Sequence, residues 1–304
     1  MKMLSIIAAA TLSGCVGCLN NNPPTDPQSD PEPEVVAEEV KTGGPARYLC
    51  VGMEVSKRFG SCSGCAIDAR QINTLLSKVF GYPGDMLISE QATKAAVVTK
   101  LREGIEATPE DGLFLFCYSG HGGQEYLGGQ EPSGAERKDE YLCLYDTYMQ
   151  DDEIWDIVSK CKGRVFMYFD ACHSATMYRS VASDALVVFQ GEARALEAGG
   201  LVWSSGFTFR PEDFVSAEAM SADGGRRNPV RMLCWSGCQE LEYSYGGPTG
   251  GVMTRALVRN WRRGMTYKDL WPRIVRSVQI EQPTQNPQET VIGAGFGDSM
   301  EAFK

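Results

Sequence analysis

Gly112–Gly123 reads GLFLFCYSGHGG, and Arg164–Ser174 reads RVFMYFDACHS. Each opens on an unbroken apolar run and closes on chemically loaded residues. A run of that kind, rich in aromatic residues, is the pattern of a strand buried on both faces of a parallel sheet. Outward from these two, Tyr48–Val55 (YLCVGMEV) and Met232–Trp235 read as further buried strands, with shorter ones at Met86–Ile88 and Tyr141–Tyr145. Apolar residues recur at helical spacing in Cys65–Phe80 (Ile67, Ile72, Leu75, Leu76, Val79) and in Thr93–Ala107 (Val97, Val98, Leu101, Ile105). Asp151–Lys160, Gly251–Trp261 and Tyr267–Ile280 read as helices as well. Strands alternating with helices predict an α/β fold, a mostly parallel sheet with helices on both faces. In such sheets sites form at the carboxyl ends of the strands.

Both loaded ends fit that rule. A histidine among three glycines after an apolar strand, Ser119-Gly120-His121-Gly122-Gly123, is not a helix or core pattern; glycines there let the backbone turn sharply and let another chain approach closely. Gln124-Glu125-Tyr126 supplies no Lys, Ser or Thr of a phosphate-cradling loop. Cys172, between Ala171 and His173, leaves its strand in polar company, unlike Cys50 and Cys117, which lie inside apolar strands and read as packing residues. Thiol-dependent amide hydrolysis needs a cysteine sulfur and an imidazole that can move a proton. Only two histidines exist, His121 and His173. Adjacency to Cys172 would make the side chain of His173 diverge from the sulfur, which favours His121. With so few histidines a multi-histidine metal centre is excluded.

SGHGG and DACHSA in this order, about 50 residues apart, resemble the caspase-like cysteine peptidases, specifically the metacaspases and their bacterial relatives. Weaker segments agree: Gly64–Ala69 (GCAIDA), Asp139–Asp146 (DEYLCLYD), Asp151–Ile154 (DDEI), and Leu233–Gly237 (LCWSG) followed by the glycines of Gly246–Thr254. The resemblance spans about Arg47 to Glu289. It implies a caspase-like three-layer sandwich around a mostly parallel six-stranded sheet, and a cysteine endopeptidase. Cys172 would be the nucleophile and His121 the general acid/base, with the backbone N–H groups of Gly122 and Cys172 as oxyanion hole. Asp68 and Asp170, with Cys65 and Ser119 nearby, would line the pocket for the residue before the scissile bond (P1). Two carboxylates there favour a guanidinium or ammonium and repel an aspartate, so cleavage after Arg or Lys is expected. A related peptidase of different P1 preference, or a tethered module that binds basic peptides without cutting them, are the alternatives. No cofactor is required by this chemistry. Calcium activation is a family property whose matching carboxylates are Asp139, Asp151 and Asp152, hard oxygen ligands. Arg179 stands where the family has a fourth acid, and Asp151-Asp152-Glu153 also suits a helix N-terminus. Ala175 replaces the family's usual Gly.

Cys62-x-x-Cys65 with Cys234-x-x-x-Cys238 is a second use to which these cysteines could be put, a four-thiolate zinc site, although the resemblance assigns Cys65 to the pocket. Eleven cysteines in 304 residues are too few for a disulfide scaffold. Twenty-nine basic against 39 acidic residues give a net charge of −10, which argues against nucleic-acid partners and suits a basic one.

Residues 1–14 (MKMLSIIAAATLSG) carry one lysine before the apolar run Met3–Ala10, too short to span a bilayer and fitting a secretory signal. Leu12-Ser13-Gly14-Cys15 resembles a bacterial lipoprotein signal, with Cys15 the acylated residue and Cys18 a weaker acceptor. Asn20–Pro45 holds six acidic residues, one lysine and many prolines but no aromatics, and cannot bury enough apolar surface to order itself. Residues 15–46 are therefore expected to be an acidic tether, holding a peptidase domain of residues 47–304 off a membrane of the cell envelope. An unused signal would leave the protein in the cytoplasm. Within the domain the resemblance implies a large-subunit region of about 47–180, a variable linker of about 181–230 and a small-subunit region of about 231–304. Arg226 and Arg227 in the linker are candidate self-processing sites, with Arg194 and Arg210 as alternatives.

Overall fold

A computed structural model of the chain describes residues 45–130, 136–173, 230–239, 242–293 and 295–304; of residues 124–130, 136–139, 172 and 173 it describes the backbone. The signal, Cys15, residues 15–44 of the tether, Ala175, Arg179 and the linker arginines lie outside the described residues, and Ala46 already belongs to the first strand.

Six strands form the main sheet: β1 (Ala46–Gly52), β4 (Gly84–Ile88), β5 (Leu113–Gln130), β8 (Arg164–His173), β9 (Arg231–Ser236) and β10 (Gln288–Ile292), in the order β10-β9-β8-β5-β1-β4. All neighbours are parallel except β10, which runs antiparallel along the edge of β9. The sequence reading anticipated the interior strands and missed β10, whose residues Gln288-Glu289-Thr290 carry no apolar run. An edge strand needs none, since one of its sides meets solvent.

Why the interior strands read as continuous apolar runs is visible in their burial. Tyr48, Cys50, Leu113, Leu115, Cys117, Phe166, Tyr168, Leu233 and Trp235 all enter one core. Their alternating neighbours Leu49, Val51, Phe114, Phe116, Tyr118, Val165, Met167, Phe169, Met232 and Cys234 enter the other. Side chains alternate across a strand, so both parities must be apolar when both faces are covered. Helices α1 (Cys65–Thr74), α4 (Val252–Asn260) and α5 (Tyr267–Glu281) cover the first face through Ala69, Ile72, Met253, Leu257, Leu270, Ile274 and Val278. Helices α2 (Lys94–Glu106) and α3 (Asp151–Val158) cover the second through Val97, Leu101, Ile105, Ile154, Ile157 and Val158. The result is the expected three-layer α/β sandwich.

One local reading is narrowed. No turn occurs at the glycines around His121: β5 runs on to Gln130 and folds back antiparallel against β6 (Glu136–Cys143), which pairs in turn with β7 (Tyr148–Gln150). The glycines serve close packing instead. A Cβ on Gly120 would come within 2.3 Å of the Tyr118 hydroxyl, and one on Gly123 within 2.3 Å of the Tyr141 ring. A small hairpin of β2 (Val55–Ser56) and β3 (Gly60–Ser61), too short to leave a pattern in the sequence, precedes α1.

Candidate active site

β5 and β8 are parallel neighbours in a register that pairs Ser119 with Asp170 and, one step of the same parity further, His121 with Cys172. Adjacent strands lie about 4.8 Å apart, so the two candidate catalytic residues are backbone neighbours although they are distant in sequence. His173, the rival imidazole, pairs with Gly122. Gly122 is itself flanked on its other side by Leu142 of β6.

The His121 ring is held from below by the hairpin. Its Nε2 lies 3.2 Å from the backbone carbonyl of Ser61. A carbonyl can only accept, so Nε2 is the donor in this contact. The strand carrying the ring is pinned as well: the Tyr118 hydroxyl stands 2.7 Å from the His121 carbonyl and 2.6 Å from that of Cys143.

Cys65, Asp68, Ser119 and Asp170, the four residues the sequence nominated for the P1 pocket, line one small recess together with Tyr245 and Gly251. Both carboxylates are buried there, Asp68 1% and Asp170 6% exposed. Asp68 accepts from the Ser119 hydroxyl at 2.7 Å and from the N–H of Gly251 at 2.8 and 3.0 Å. Asp170 accepts from the Ser244 hydroxyl at 2.9 Å and, on its other oxygen, from the Thr254 N–H at 3.0 Å and hydroxyl at 2.8 Å. Gly251 is the N-cap of α4 and Thr254 lies in its first turn, so the open N–H groups of that helix and its dipole serve both acids. A glycine is required at the cap: a Cβ on Gly251 would fall 2.1 Å from an Asp170 oxygen.

Burial nevertheless dominates their titration. It pushes Asp68 well above the usual carboxylate range, the neighbouring Asp170 charge pushes the same way, and the bonds from Ser119 and Gly251 and the charge of Arg255 only partly offset this. Asp170 is raised by burial too, against the pull of Thr254, Ser244 and Arg255. Arg255 does not itself close on the acids; its guanidinium bonds to the Gly250 carbonyl and to Glu281. Among the described residues no cation bonds directly to either acid, and an incoming one would favour their ionised form.

Sequence reasoning missed the support of this recess. Gln285, fully buried, donates to the Gly237 carbonyl at 2.8 Å and the Ser244 hydroxyl at 3.1 Å, and accepts from the Tyr245 N–H at 3.1 Å. Ser61, Ser244 and Thr254 were likewise unmarked, since single serines and threonines carry no pattern. The glycine pair Gly250-Gly251 before a helix was the one available signal.

The metal expectations fare differently. Asp151 and Asp152 open α3, where an Asp151 oxygen accepts from the Asp152 N–H at 3.0 Å, and Glu153 pairs with Lys94 at 2.6 Å. Asp139 is a backbone partner of Glu125 on the adjoining hairpin. Among the described residues no three His, Cys, Asp or Glu side chains converge as a metal site, and that description does not extend to the Asp139 side chain. Nor do the four zinc-candidate cysteines meet: Cys62 and Cys65 touch each other, while Cys234 lies near the Ser236 hydroxyl and Cys238 donates to the Glu242 carbonyl. No helix among the described residues is long and apolar enough to cross a membrane.

The caspase domain profile matches residues 49–292. The chain belongs to the caspase domain family. It is a cysteine endopeptidase of the caspase and metacaspase type. Metacaspase-1 of Ajellomyces capsulatus is 25% identical over 286 residues, covering 81% of this chain and 78% of that protein. Metacaspase-1 of Pyricularia oryzae is 28% identical over 286 residues, covering 81% and 71%. In three dimensions a Geobacter sulfurreducens protein superposes with a TM-score of 0.59 at 22% identity, over 84% of this chain and 96% of that one. Caspase-1 from Spodoptera frugiperda superposes at 0.50 with 11% identity, over 87% and 94%. The caspase-like fold read from the sequence therefore stands.

Proposed function

We propose that this caspase-family enzyme cleaves peptide bonds after Arg or Lys through a Cys172–His121 dyad. The observation that carries the reading is the β5–β8 register, which sets His121 opposite Cys172 one step beyond a Ser119–Asp170 pair that lines a doubly acidic recess. A substrate Arg or Lys enters the recess and its cation meets Asp68 and Asp170, replacing the hydration it loses with charge-assisted bonds. His121, its Nε2–H given to the Ser61 carbonyl, receives the Cys172 proton at Nδ1. The sulfur attacks the scissile carbonyl carbon, and the N–H groups of Gly122 and Cys172 stabilise the charge on its oxygen. Collapse of the tetrahedral intermediate expels the amine, which takes its proton from His121. Water, deprotonated by the same ring, then hydrolyses the thioester and frees Cys172.

The test is a panel of fluorogenic peptides ending in Arg, Lys or Asp, with Cys172→Ala as control. Cleavage of the Arg and Lys peptides alone is expected; preference for the Asp peptide would overturn the assignment of the recess. Within the same reading, calcium held by Asp139, Asp151 and Asp152 would act as an activator that orders the β6–α3 corner, and chelation by EGTA checks it. Self-processing at Arg226 or Arg227 would appear in wild type and vanish in Cys172→Ala by mass spectrometry. Acylation at Cys15, anchoring the domain to a cell-envelope membrane through residues 15–46, rests on the sequence and would be lost in Cys15→Ala under labelled-palmitate feeding.

A further inference from the structure

One pair of thiols carries out no chemical step of the reaction just described, although Cys65 lines the recess. Cys62 and Cys65 are 1% and 2% exposed and form a cluster of their own, apart from both main cores. Their sulfurs stand 2.7 Å apart. A disulfide bond measures about 2.05 Å, so a shift of less than an ångström joins them. Cys65 is the first residue of α1. It also lines the recess, which gives a small oxidant a route to an otherwise covered pair.

What flanks the pair gives it consequences. The residue before Cys62 is Ser61, whose carbonyl holds the His121 ring. The helix that Cys65 opens carries Asp68. Drawing the two sulfurs together moves the peptide that supports the imidazole and takes the Cys65 thiol out of the recess wall.

We propose that Cys62 and Cys65 form a reversible disulfide that turns the peptidase down under peroxide; the control of cleavage rests on the dyad and recess assigned above, and the disulfide itself does not. The Cys65 sulfur gives up its proton and attacks one oxygen of hydrogen peroxide, the O–O bond breaks, the departing hydroxide takes up that proton as water, and Cys65 becomes a sulfenic acid. The Cys62 sulfur then attacks the Cys65 sulfur, forming the S–S bond and expelling the hydroxyl, which leaves as water with the Cys62 proton. Two thiols are oxidised and one peroxide is reduced to two waters. A dithiol such as dithiothreitol reverses the bond by exchange.

Phe59–Arg70 is a tryptic peptide that contains both cysteines and no other. In full-length Cys172→Ala protein treated with peroxide, this peptide is expected to lose two hydrogens in mass and to resist iodoacetamide until reduced. A peptide that stays alkylatable, or that carries only over-oxidised single sulfurs, overturns the proposal. In wild type the same treatment lowers kcat/KM on the Arg peptide about tenfold, as a small displacement of a catalytic group does, and dithiothreitol restores it. Cys62→Ala keeps the reduced activity and loses only what direct oxidation of Cys172 removes. Equal losses in the two proteins overturn the regulatory role. A reduced enzyme inert on every peptide would instead sink the proposed function, leaving the peptide map to decide the disulfide.

Discussion

The recess and the proposed dyad share strands β5 and β8, yet they are assembled in different ways. His121 and Cys172 are backbone neighbours through strand register alone, each carried by a strand whose sequence announces it. The acids of the recess depend on donors from across the chain: Gly251 reaches Asp68 over 183 residues, and Thr254 and Ser244 reach Asp170 over 84 and 74. The proposed dyad thus inherits its position from the sheet, whereas the recess exists only after Ser244 and the start of α4 have packed against it. Chemistry and specificity can therefore be damaged separately.

The largest expected effect breaks the dyad side alone. Cys172→Ala removes the nucleophile, and His121→Ala the proton carrier, and each should lower kcat on the Arg peptide by about a thousandfold or more while thermal stability stays near wild type. Steady-state kinetics beside a melting curve checks this. A melting temperature that collapses with activity would mean that the two regions are not separable.

Next in size is the recess side. Gly251→Ala forces a methyl to within 2.1 Å of the Asp170 carboxylate. The overpacking should cost about 1–3 kcal/mol of stability and raise KM for basic peptides more than it lowers kcat. Gln285→Ala is the milder version: it orphans the Tyr245 N–H and withdraws a donor from Ser244, about 1–3 kcal/mol by denaturant melt, with KM raised severalfold and kcat kept. A fall in kcat with KM unchanged would show that Gln285 serves the dyad instead.

The smallest and most discriminating effect is in pH. Burial raises Asp68, so between the ordinary carboxylate value of 3.8 and its higher folded value the native chain holds a proton that the unfolded chain has released. Stability from this group is therefore greatest at low pH and is lost as pH rises through that window. Asp68→Asn removes this group's share of the trend and leaves that of Asp170, so the melting temperature of the variant should gain on wild type as pH rises from 3.8 upward. Affinity for a basic peptide runs the other way, because the cation needs the ionised acid. Parallel trends in stability and affinity would exclude Asp68 as the cation's partner.

How much of this was legible varies with the range of the interaction. The interior strands were readable because burial on both faces demands apolar residues at both parities, a strictly local requirement. The two motifs were readable because nothing in a core accounts for a histidine among glycines or a cysteine between Ala171 and His173. Of the two uses open to the glycines around His121, close approach holds and the turn does not: they make room for the Tyr118 and Tyr141 rings and do not end the strand. Hairpin β2–β3 and edge strand β10 left no trace, one being too short and the other only half covered.

By itself the sequence determined the layered α/β sheet through short-range periodicity and marked His121 and Cys172 as candidates by residue type, while Asp68 and Asp170 were nominated only through the family resemblance. Only the tertiary structure decided that those acids share one recess at the start of α4, which serine and glutamine support them, and which carbonyl faces the imidazole Nε2. Such contacts join polar groups far apart in the chain, and a hydrogen bond leaves no periodic mark on the sequence that makes it.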